Sequence, residues 1–372
     1  MRVDKSKWQK IFLGEVCNLY QPKTIATSCL DSNGKYLVYG ANGVIGKYNE
    51  YNHKFPEVLI TCRGATCGTI NISKPFSWIN GNAMVVHPKE ENLLDFAFLG
   101  KAVSAIDYSK VITGAAQPQI TRANLQKVQI VIPTLVEQQT IASELDAVQE
   151  MIDGYKTQIT DLDALAQSIF LDMFGDPVTN PKGWNLQTLK EVCSHIVDCP
   201  HSTPQKSAIP TEYPCIRTSE LTDSGIEWNT MQYLNEEEYL KRTHRLKPQF
   251  GDLIYGREGT VGGCIMVPKE KHFSLGQRTM LFRPSKINSY LLLAIIRSPW
   301  IRNQAELKTV GQTVKHINIK DIIEFTIPVP PRTLQQHFAT QVEAIELQKE
   351  LLRQQLADAE TLMAERMQYY FS

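Results

Sequence analysis

The chain has 372 residues, of which 42% are hydrophobic and 21% charged, a composition typical of a folded globular protein rather than a disordered or fibrous one. A chain of this length usually forms more than one hydrophobic core, so we expect two domains. No window approaches the roughly eighteen apolar residues of a membrane span, and the polar start MRVDKSKWQK lacks the apolar stretch of a secretory signal, so we expect a cytoplasmic protein without a membrane partner.

Eight cysteines are scattered along the chain, at positions 17, 29, 62, 67, 193, 199, 215 and 264. None belongs to a Cys-x-x-Cys pair of the kind that binds zinc. Cys62 and Cys67 come closest, but no second pair of ligands stands at a matching distance. The pattern therefore predicts reduced, mostly buried thiols and no metal site.

The sequence contains an internal repeat, the feature that most constrains the fold. WQKIFLGEVC, starting at Trp8, recurs as WNLQTLKEVC from Trp184, a shift of 176. RGATCG from Arg63 corresponds to REGTVG from Arg257 at a shift of 194. The segment from Gly114 to Ala142 corresponds to that from Gly311 to Ala339 at a shift of 197. The growing shift predicts loop insertions in the second copy. We expect both tryptophans to lie in the core.

Each copy begins with a globular part that reads as mixed α/β with many short strands. Runs such as YLVYGANGVIGKY, EVLITCRGATCGTINI and GDLIYGREGTVGGCIMV combine β-branched residues with glycine punctuation. These parts are predicted to span residues 1–136 and 184–332.

Each copy ends in a predicted long helix, the first over 137–174 and the second over 333–372. Apolar residues alternate at steps of three and four along both, which is typical of a coiled coil. In the first helix they are Ile141, Leu145, Val148, Ile152, Tyr155, Ile159 and Leu162. In the second they are Phe338, Val342, Ile345, Leu352, Leu356, Ala359 and Met363, interrupted by Lys349. The two helices are predicted to pack on each other.

The segment FGDPVTNPKGW, Phe174 to Trp184, separates the two copies. Gly175 is a predicted helix C-cap, and Pro177 cannot continue the helix. Residues 175–183 are therefore predicted to be a linker.

Charge is balanced overall, with 39 basic and 39 acidic residues, but it is unevenly placed. Residues 1–136 hold 15 Lys and Arg against 9 Asp and Glu, and residues 177–333 hold 20 against 15. The helical stretch 137–176 holds 1 against 9, and residues 334–372 hold 3 against 6. Two basic globular parts joined by acidic helices would suit a polyanion held at two separate patches, although a solvated surface with chance segregation gives the same count.

Motifs for catalysis are weak. The phosphate-binding patterns Gly-x-Gly-x-x-Gly and Gly-x-x-x-x-Gly-Lys are both missing from the sequence, as is an Asn-Pro-Pro-aromatic motif. Glu306-x-Lys308 is not preceded by an acidic metal ligand of a nuclease, since no Asp lies between Asp252 and Asp321. Cys199 and His201 lie two apart on a predicted loop without a third group to orient a base. We therefore expect a chain that is not an enzyme.

The order of these pieces resembles the specificity (S) subunit of type I restriction-modification systems. The resemblance covers nearly the whole chain and is carried by VIPTLVEQQTIASEL (131–145), IPVPPRTLQQHFATQV (327–342) and the linker. The sequence departs from the family pattern at Thr134-Leu135, where a second proline is usual, and at Leu334-Gln335, where Glu-Gln is usual.

The resemblance implies two target recognition domains and two long helices in an antiparallel coiled coil. Each domain would read one half of a bipartite double-stranded DNA target. The coil would set the unread gap and bind two methyltransferase subunits, with restriction/translocase subunits joining them. S-adenosylmethionine and ATP would bind to those partners, so no cofactor is expected on this chain.

The DNA-contacting residues are predicted by side-chain type and by their place in or beside glycine-rich turns. Arg suits guanine, Asn and Gln suit adenine, and phosphate contact is the next role for each. In the first part the candidates are Asn42, Lys47, Arg63, Lys74, Asn80 and Asn82. In the second they are His201, Thr203, Arg217, Arg257, Gln277, Arg278 and Lys315.

Two rival classes of function stay open from the residues alone. A free-standing enzyme that cleaves or methylates DNA would need a catalytic motif that the sequence does not show, and a purified chain that modifies DNA alone would support it. A coiled-coil scaffold that binds protein partners without DNA recognition would carry the same helices. Salt-dependent retention on duplex DNA separates the scaffold hypothesis from DNA recognition.

Overall fold

A computed structural model describes residues 5–114, 117–222, 225–259, 261–311 and 316–372. The chain forms two compact units. Unit 1 comprises residues 1–156 and 354–372, and unit 2 comprises residues 157–353. Each unit therefore contains one globular part and a section of both long helices. None of the described helices is long and apolar enough to cross a membrane.

The elements of the first copy follow one another as short strands and helices ahead of a long helix. The strands are β1 (Gln9–Phe12), β2 (Cys17–Tyr20), β3 (Tyr36–Tyr39), β4 (Val44–Tyr48), β5 (Val58–Thr61), β6 (Ile70–Ile72), β7 (Trp78–Ile79), β8 (Ala83–Pro88) and β9 (Gln129–Ile132). The helices are α1 (Leu13–Val16), α2 (Phe96–Ser104), α3 (Arg122–Leu125) and the long α4 (Leu135–Phe174).

The second copy repeats this order with additions. Its strands are β10 (Asn185–Thr188), β11 (Cys193–Asp198), β12 (Tyr213–Ile216), β13 (Leu221–Thr222), β14 (Gly225–Ile226), β15 (Gln232–Leu234), β16 (Leu253–Gly256), β17 (Cys264–Met266), β18 (Ser274–Leu275), β19 (Thr279–Pro284) and β20 (Thr326–Val329). Its helices are α5 (Leu189–Val192), α6 (Glu236–Thr243), α7 (Ser289–Arg297), α8 (Pro299–Lys308), α9 (Ile319–Ile322) and the long α10 (Arg332–Phe371).

The two copies share one sheet topology, which confirms the internal repeat. Unit 1 has a four-stranded sheet in the order β2-β8-β5-β6 and a three-stranded sheet in the order β4-β3-β7. Unit 2 has β11-β19-β16-β17 and β15-β12-β18 in the same places. In both, the central strand of the smaller sheet pairs in parallel with its last strand.

The predicted insertions in unit 2 lie in the connections before and after β15, an edge strand of the smaller sheet. The turn 40–43 that joins β3 to β4 corresponds to residues 217–231, which carry the β13–β14 hairpin. Helix α6 is added between β15 and β16. The larger sheet keeps its pairing, because its strands are buried on the core side and a register change would expose them.

Each unit has its own main hydrophobic core. In unit 1 the larger sheet, α2 and the start of α4 enclose buried side chains such as Leu13, Val86, Phe98 and Leu145. In unit 2 the matching elements enclose Phe282, Leu291 and Phe338. Trp8 and Trp184 are half-buried rather than fully enclosed. Their indole nitrogens donate to Glu137 Oε1 at 3.4 Å and to the Phe174 carbonyl at 2.9 Å.

The long helices pair with each other in each unit, as predicted. In unit 1, Arg366 lies 3.1 Å from Glu144 and Glu360 lies 3.0 Å from Lys156, so residue numbers rise along α4 as they fall along α10. Val148, Ile152 and Ala359 form a small buried cluster near these contacts. The antiparallel order follows directly.

Lys349, which interrupts the apolar pattern of α10, is only 4% exposed within the helix pair of unit 2. Its Nζ lies 2.6 Å from Asp163 Oδ1 and 2.7 Å from Glu346 Oε1. A buried ammonium group requires such partners, because desolvation of an unpaired charge is costly. The carboxylates therefore allow lysine at a position where the helix pair otherwise takes an apolar side chain.

The linker ends α4 as the sequence predicts. Gly175 has φ +77°, and its amide donates to the Leu171 carbonyl at 2.8 Å, which is a left-handed C-cap. Lys182 Nζ donates to the carbonyls of Asp172 and Met173 at 2.6 and 3.0 Å. A cation at the last carbonyls stabilises a helix C-terminus, so the linker both stops and caps α4.

A buried glutamine joins α4 to the globular part of unit 1. Gln138 is fully buried, and its Nε2 donates to the carbonyls of Leu93 and Pro133 at 2.9 and 3.0 Å. Its Oε1 accepts from the amide of Asp95, the N-cap of α2, at 2.8 Å. The side chain therefore satisfies three backbone groups, two in the segment before α2 and one in the segment before α4.

Gln335 does the same for α10 in unit 2. It is 2% exposed, donates to the Pro330 carbonyl at 2.8 Å and accepts from the amide of Asn288, the N-cap of α7, at 2.8 Å. Gln138 and Gln335 are the first glutamines of two matching motifs, EQQ at 137–139 and LQQ at 334–336.

The departures of each motif from the family pattern have a local cause. At the start of α4, the Thr134 amide and hydroxyl both donate to Glu137 Oε2, at 2.9 and 2.8 Å. At the matching place before α10 stands Pro331, which has no amide hydrogen to satisfy. Leu334 can therefore replace the glutamate, and it packs against the core of unit 2.

Replacing Gln138 by leucine should lower the free energy of unfolding by about 3 kcal/mol, because buried backbone groups lose their partners. The matched control is Gln139→Leu, at the exposed neighbour, which should change stability by less than about 0.5 kcal/mol. Urea unfolding followed by helical circular dichroism measures both. Equal stabilities of the two variants would contradict the role given to Gln138.

Candidate nucleic-acid interface

Four chain segments meet at one end of the sheets in unit 1. Tyr20 pairs with Val85 and Thr61 with Ala83, so the ends of β2 and β5 lie beside the start of β8. Tyr39 pairs in parallel with Ile79, which brings the end of β3 there as well. We call the loops that follow these strands the unit 1 loop face: residues 21–25, 40–43, 62–68 and 80–82.

The same construction forms the unit 2 loop face, residues 199–204, 217–219, 257–259 and 276–278. Asp198 pairs with Met280, Gly256 with Thr279, and Ile216 in parallel with Leu275. Both faces are built on strand ends that the core holds rigidly, an arrangement that suits a binding site carried by loops.

A two-residue turn lies in each face, and the same backbone hydrogen bonds hold it. In unit 1 the Asn80 amide donates to Tyr39 at 3.0 Å and the Cys62 amide to Asn82 at 3.2 Å. In unit 2 the Gly276 amide donates to Ile216 at 2.7 Å and the Arg257 amide to Arg278 at 3.0 Å. Asn82 and Arg278 therefore occupy equivalent positions.

This register corrects the alignment of the RGATCG and REGTVG segments. Arg257 corresponds to Cys62, and Arg63 corresponds to Glu258, which the bridges Arg63–Gln119 and Glu258–His316 support. The shift of 194 holds only later, where the amides of Gly68 and Gly262 donate back to Thr61 and Gly256. The loop after β16 in unit 2 is one residue shorter than the loop after β5 in unit 1. An alignment that pairs Arg63 with Arg257 is therefore wrong by one position.

Three of the six candidates in unit 1 lie on its loop face with exposed side chains. These are Asn42, Arg63 and Asn82. Asn42 Oδ1 accepts from Asn71 Nδ2 at 3.0 Å in the turn between β3 and β4. Side chains of these types can read base edges from such a position.

The other three candidates in unit 1 are placed differently. Asn80 is 4% exposed, and its Oδ1 accepts from the Ile25 amide at 3.0 Å, so it holds the 21–25 loop against the turn. Lys47 is exposed opposite Leu37 on β4, away from the turn. Lys74 is exposed beyond the end of β6 that pairs with the start of β5, the opposite end of the larger sheet.

His201, Thr203, Gln277 and Arg278 meet on the loop face of unit 2, all with exposed side chains. Gln277 Nε2 donates to Thr203 Oγ1 at 3.3 Å, which connects the 199–204 loop with the turn. His201 Nε2 lies 3.3 Å from Asp198 Oδ2. Arg242, 6% exposed, supports this loop from below by donating to the Ser202 carbonyl at 3.0 Å.

Arg257 is not available for a base as it stands. Its side chain is 11% exposed and forms a two-pronged ion pair with Asp198 at 3.0 and 3.2 Å, while its Nη1 donates to Glu258 at 2.6 Å. Glu258 also lies 3.4 Å from Arg278 Nε. The structure favours a supporting role for Arg257 and leaves Arg278 as the exposed arginine of this cluster.

Arg217 is similarly engaged. Its Nε donates to Glu220 Oε2 at 3.1 Å and its Nη2 to the Thr230 carbonyl at 3.1 Å. Burial raises the pKa of Glu220, but hydrogen bonds from Arg217 and Ser219 outweigh it, so the pKa lies below its ordinary value. The carboxylate therefore stays ionised at neutral pH and holds Arg217. Lys315 lies outside the described residues.

Cys199 and His201 do not form a catalytic pair. Cys199 is 2% exposed in the second hydrophobic cluster of unit 2, and burial raises the pKa of its thiol. A nucleophilic cysteine needs the opposite shift. His201 faces solvent.

Sequence reasoning missed the carboxylates of the loop face in unit 2. Asp198 and Glu258 decide which arginine is exposed, yet Asp198 lies 59 residues before Arg257. The adjacent letters Arg257-Glu258 gave the only local signal of an ion pair.

Replacing Arg257 by alanine should lower the free energy of unfolding by about 3 kcal/mol, because the poorly solvated Asp198 carboxylate loses its two-pronged arginine partner. Arg278→Ala, the control on the same face, removes an exposed pair and should cost less than about 1 kcal/mol. Chemical unfolding of both variants measures this. An Arg278 variant less stable than the Arg257 variant would overturn the assignment.

Comparison with known proteins agrees with this architecture. Residues 5–163 and 181–361 both match the family model described as the type I restriction modification DNA specificity domain. The chain is 23% identical over 320 residues to the MjaIX specificity subunit of Methanocaldococcus jannaschii, covering 78% of this chain and 71% of that protein. It is 21% identical over 381 residues to the MjaVIII specificity subunit of the same organism, covering 94% and 88%.

Among solved structures, the type I restriction-modification S subunit from M. genitalium aligns with a TM-score of 0.70. The alignment covers all of this chain and 98% of that one at 13% identity, which is a likeness of fold. Two family matches, one in each copy of the repeat, together span most of the sequence. The chain therefore belongs to the family of type I restriction-modification DNA specificity proteins.

Proposed function

We propose that this chain is the DNA-recognition subunit of a type I restriction-modification complex. Residues 1–136 and 184–332 would each read one half of a split duplex target, and the chain itself would catalyse no reaction. The observation that carries the proposal is the repeated loop face. One backbone construction appears twice and presents different side chains, as two unlike half-sites require.

The charge distribution supports contact with DNA at both globular parts. Basic residues exceed acidic ones by six over 1–136 and by five over 177–333, whereas the helical stretch 137–176 has eight more acidic than basic residues. Duplex DNA attracts positive surfaces and is repelled by negative ones. We infer that the globular parts, rather than the helices, approach the phosphate backbone.

The long helices would set the unread gap and bind the catalytic partners. Each has 40 residues and is therefore about 60 Å long, enough to separate contacts about one helical turn of DNA apart. On α10, Leu347 and Leu351 stand one turn apart and are 70% and 60% exposed. Exposed leucines on a helix already paired elsewhere suit a protein contact.

In this proposal two methyltransferase subunits bind along the helices and supply S-adenosylmethionine chemistry. Restriction/translocase subunits supply ATP-driven activity, and this chain holds the duplex while a base is turned out for methylation. The complex would act in the cytoplasm, on duplex DNA.

Co-expression with the methyltransferase subunit of the same system, followed by genome-wide mapping of methylated adenines, tests this function. We expect one split motif with a fixed number of unread bases. Co-purification of the two proteins is checked first, so that a missing complex is not taken for missing recognition.

A co-purifying complex that methylates an ungapped motif, or no motif, would contradict the proposal. The absence of salt-dependent retention on duplex DNA would also contradict it, since phosphate contacts release counterions. That second result would favour the protein scaffold hypothesis.

A further inference from the structure

One equivalent position in the two loop faces carries different base-reading side chains. Asn82 and Arg278 are both the second residue of a two-residue turn that leads into the strand pairing with β5 or β16. The Asn82 carbonyl accepts from the amide of Cys62, the first residue after β5. The Arg278 carbonyl accepts from the amide of Arg257, the first residue after β16. The two side chains therefore start from equivalent positions of the turn, although Arg278 has a left-handed backbone conformation, with φ +71°, that Asn82 does not share.

The turn itself is held from both sides in unit 1. The Gly81 amide donates to Thr24 Oγ1 at 3.0 Å, and its carbonyl accepts from Gln21 Nε2 at 2.7 Å. A Cβ at position 81 would lie 2.4 Å from the Pro22 carbonyl oxygen, so glycine is required for this approach. Asn82 thus projects from a backbone that cannot easily move, which a base-reading side chain needs.

The surroundings of Arg278 favour a base over a phosphate. Two guanidinium groups, Arg257 and Arg278, stand beside two carboxylates, Asp198 and Glu258, and their charges cancel. A phosphate here would meet carboxylates as well as arginines. A neutral base edge meets no such repulsion. Glu258 Oε2 lies 3.4 Å from Arg278 Nε, and the Arg278 side chain is 51% exposed. Neither terminal nitrogen of Arg278 donates a hydrogen bond to another residue that the structure describes, so both can take part in a two-pronged contact.

Asn82 is uncharged and exposed, and its side chain makes no hydrogen bond to any other residue that the structure describes. A free amide offers one donor and one acceptor side by side. That pair matches N7 and N6 of adenine, whereas guanidinium matches O6 and N7 of guanine.

We propose that this turn position discriminates one base in each half-site, with Asn82 selecting adenine and Arg278 selecting guanine. The inference rests on the proposed function and adds which residue, and which base, sets part of the specificity of each unit. The remaining exposed residues of each face supply other contacts.

Reciprocal substitution tests it in the complex with methyltransferase subunits. Asn82→Arg should change one adenine of one half-site to guanine, and Arg278→Asn should change one guanine of the other half-site to adenine. In each case methylation of the original motif should fall at least about tenfold. The gap and the other half-site should stay as in the unsubstituted protein. Adenine methylation mapping reads both changes.

Three further variants keep the test decisive. Asn82→Ala and Arg278→Ala should relax one position to several bases, while a phosphate contact would weaken all sequences equally and would overturn the inference. Asn33→Arg, on an exposed turn outside the loop face of unit 1, introduces the same change in residue type and should leave the motif unchanged. Thermal unfolding confirms that each variant folds.

The possible failures are distinct. If the unsubstituted chain directs no split motif, the proposed function is wrong. If it directs a split motif that Asn82→Arg and Arg278→Asn both leave unchanged, this inference alone is wrong.

Discussion

A buried glutamine amide at the start of each long helix is the interaction on which the architecture of each unit depends. A helix needs partners for its first amides, and a globular part needs partners for the backbone groups around it. Gln138 and Gln335 meet the second need while belonging to the helix. The start of each helix is therefore held against its own globular part by hydrogen bonds, which are more directional than apolar packing.

Hydrogen bonds to the backbone also determine the structure of the loop faces. Backbone hydrogen bonds that the two copies share place the turn, and these bonds do not depend on the side chains of Asn82 and Arg278. Exposed positions can therefore differ without disturbing the fold. Asp198 shows the limit of this freedom, because its partner Arg257 is largely buried and tied to the core side of the face. Side chains of the loop faces can vary where they are exposed and are constrained where their charges are paired.

Much of the fold could be predicted from the sequence because its signals are local or repeated. The apolar steps along 141–162, the glycine at 175 and the recurrence of Trp8 to Cys17 at Trp184 to Cys193 each gave the right element. The candidate site was harder. Letter matching paired Arg63 with Arg257, because a one-residue deletion in a loop is invisible until strand register is known.

Burial and long-range pairing account for the remaining differences. Asn80 and Arg257 have the right side chains for base reading, but one holds a loop and the other an ion pair across 59 residues. The residue types near a turn do not show whether a side chain holds the structure together or is exposed to a ligand. Gln138 is the opposite case, a buried residue whose type suggests exposure. Gln138 and Gln139 are the same residue type, so the sequence gave no sign that only Gln138 is buried.

Hydroxyl-radical footprinting of the complex on its methylated motif tests the central claim most directly. We expect two protected segments of duplex separated by accessible sugars, with Arg278→Ala weakening protection of one segment and Asn82→Ala that of the other. A single continuous protected segment, or loss of both segments in either variant, would contradict the account that two equivalent loop faces read two separate halves of the target.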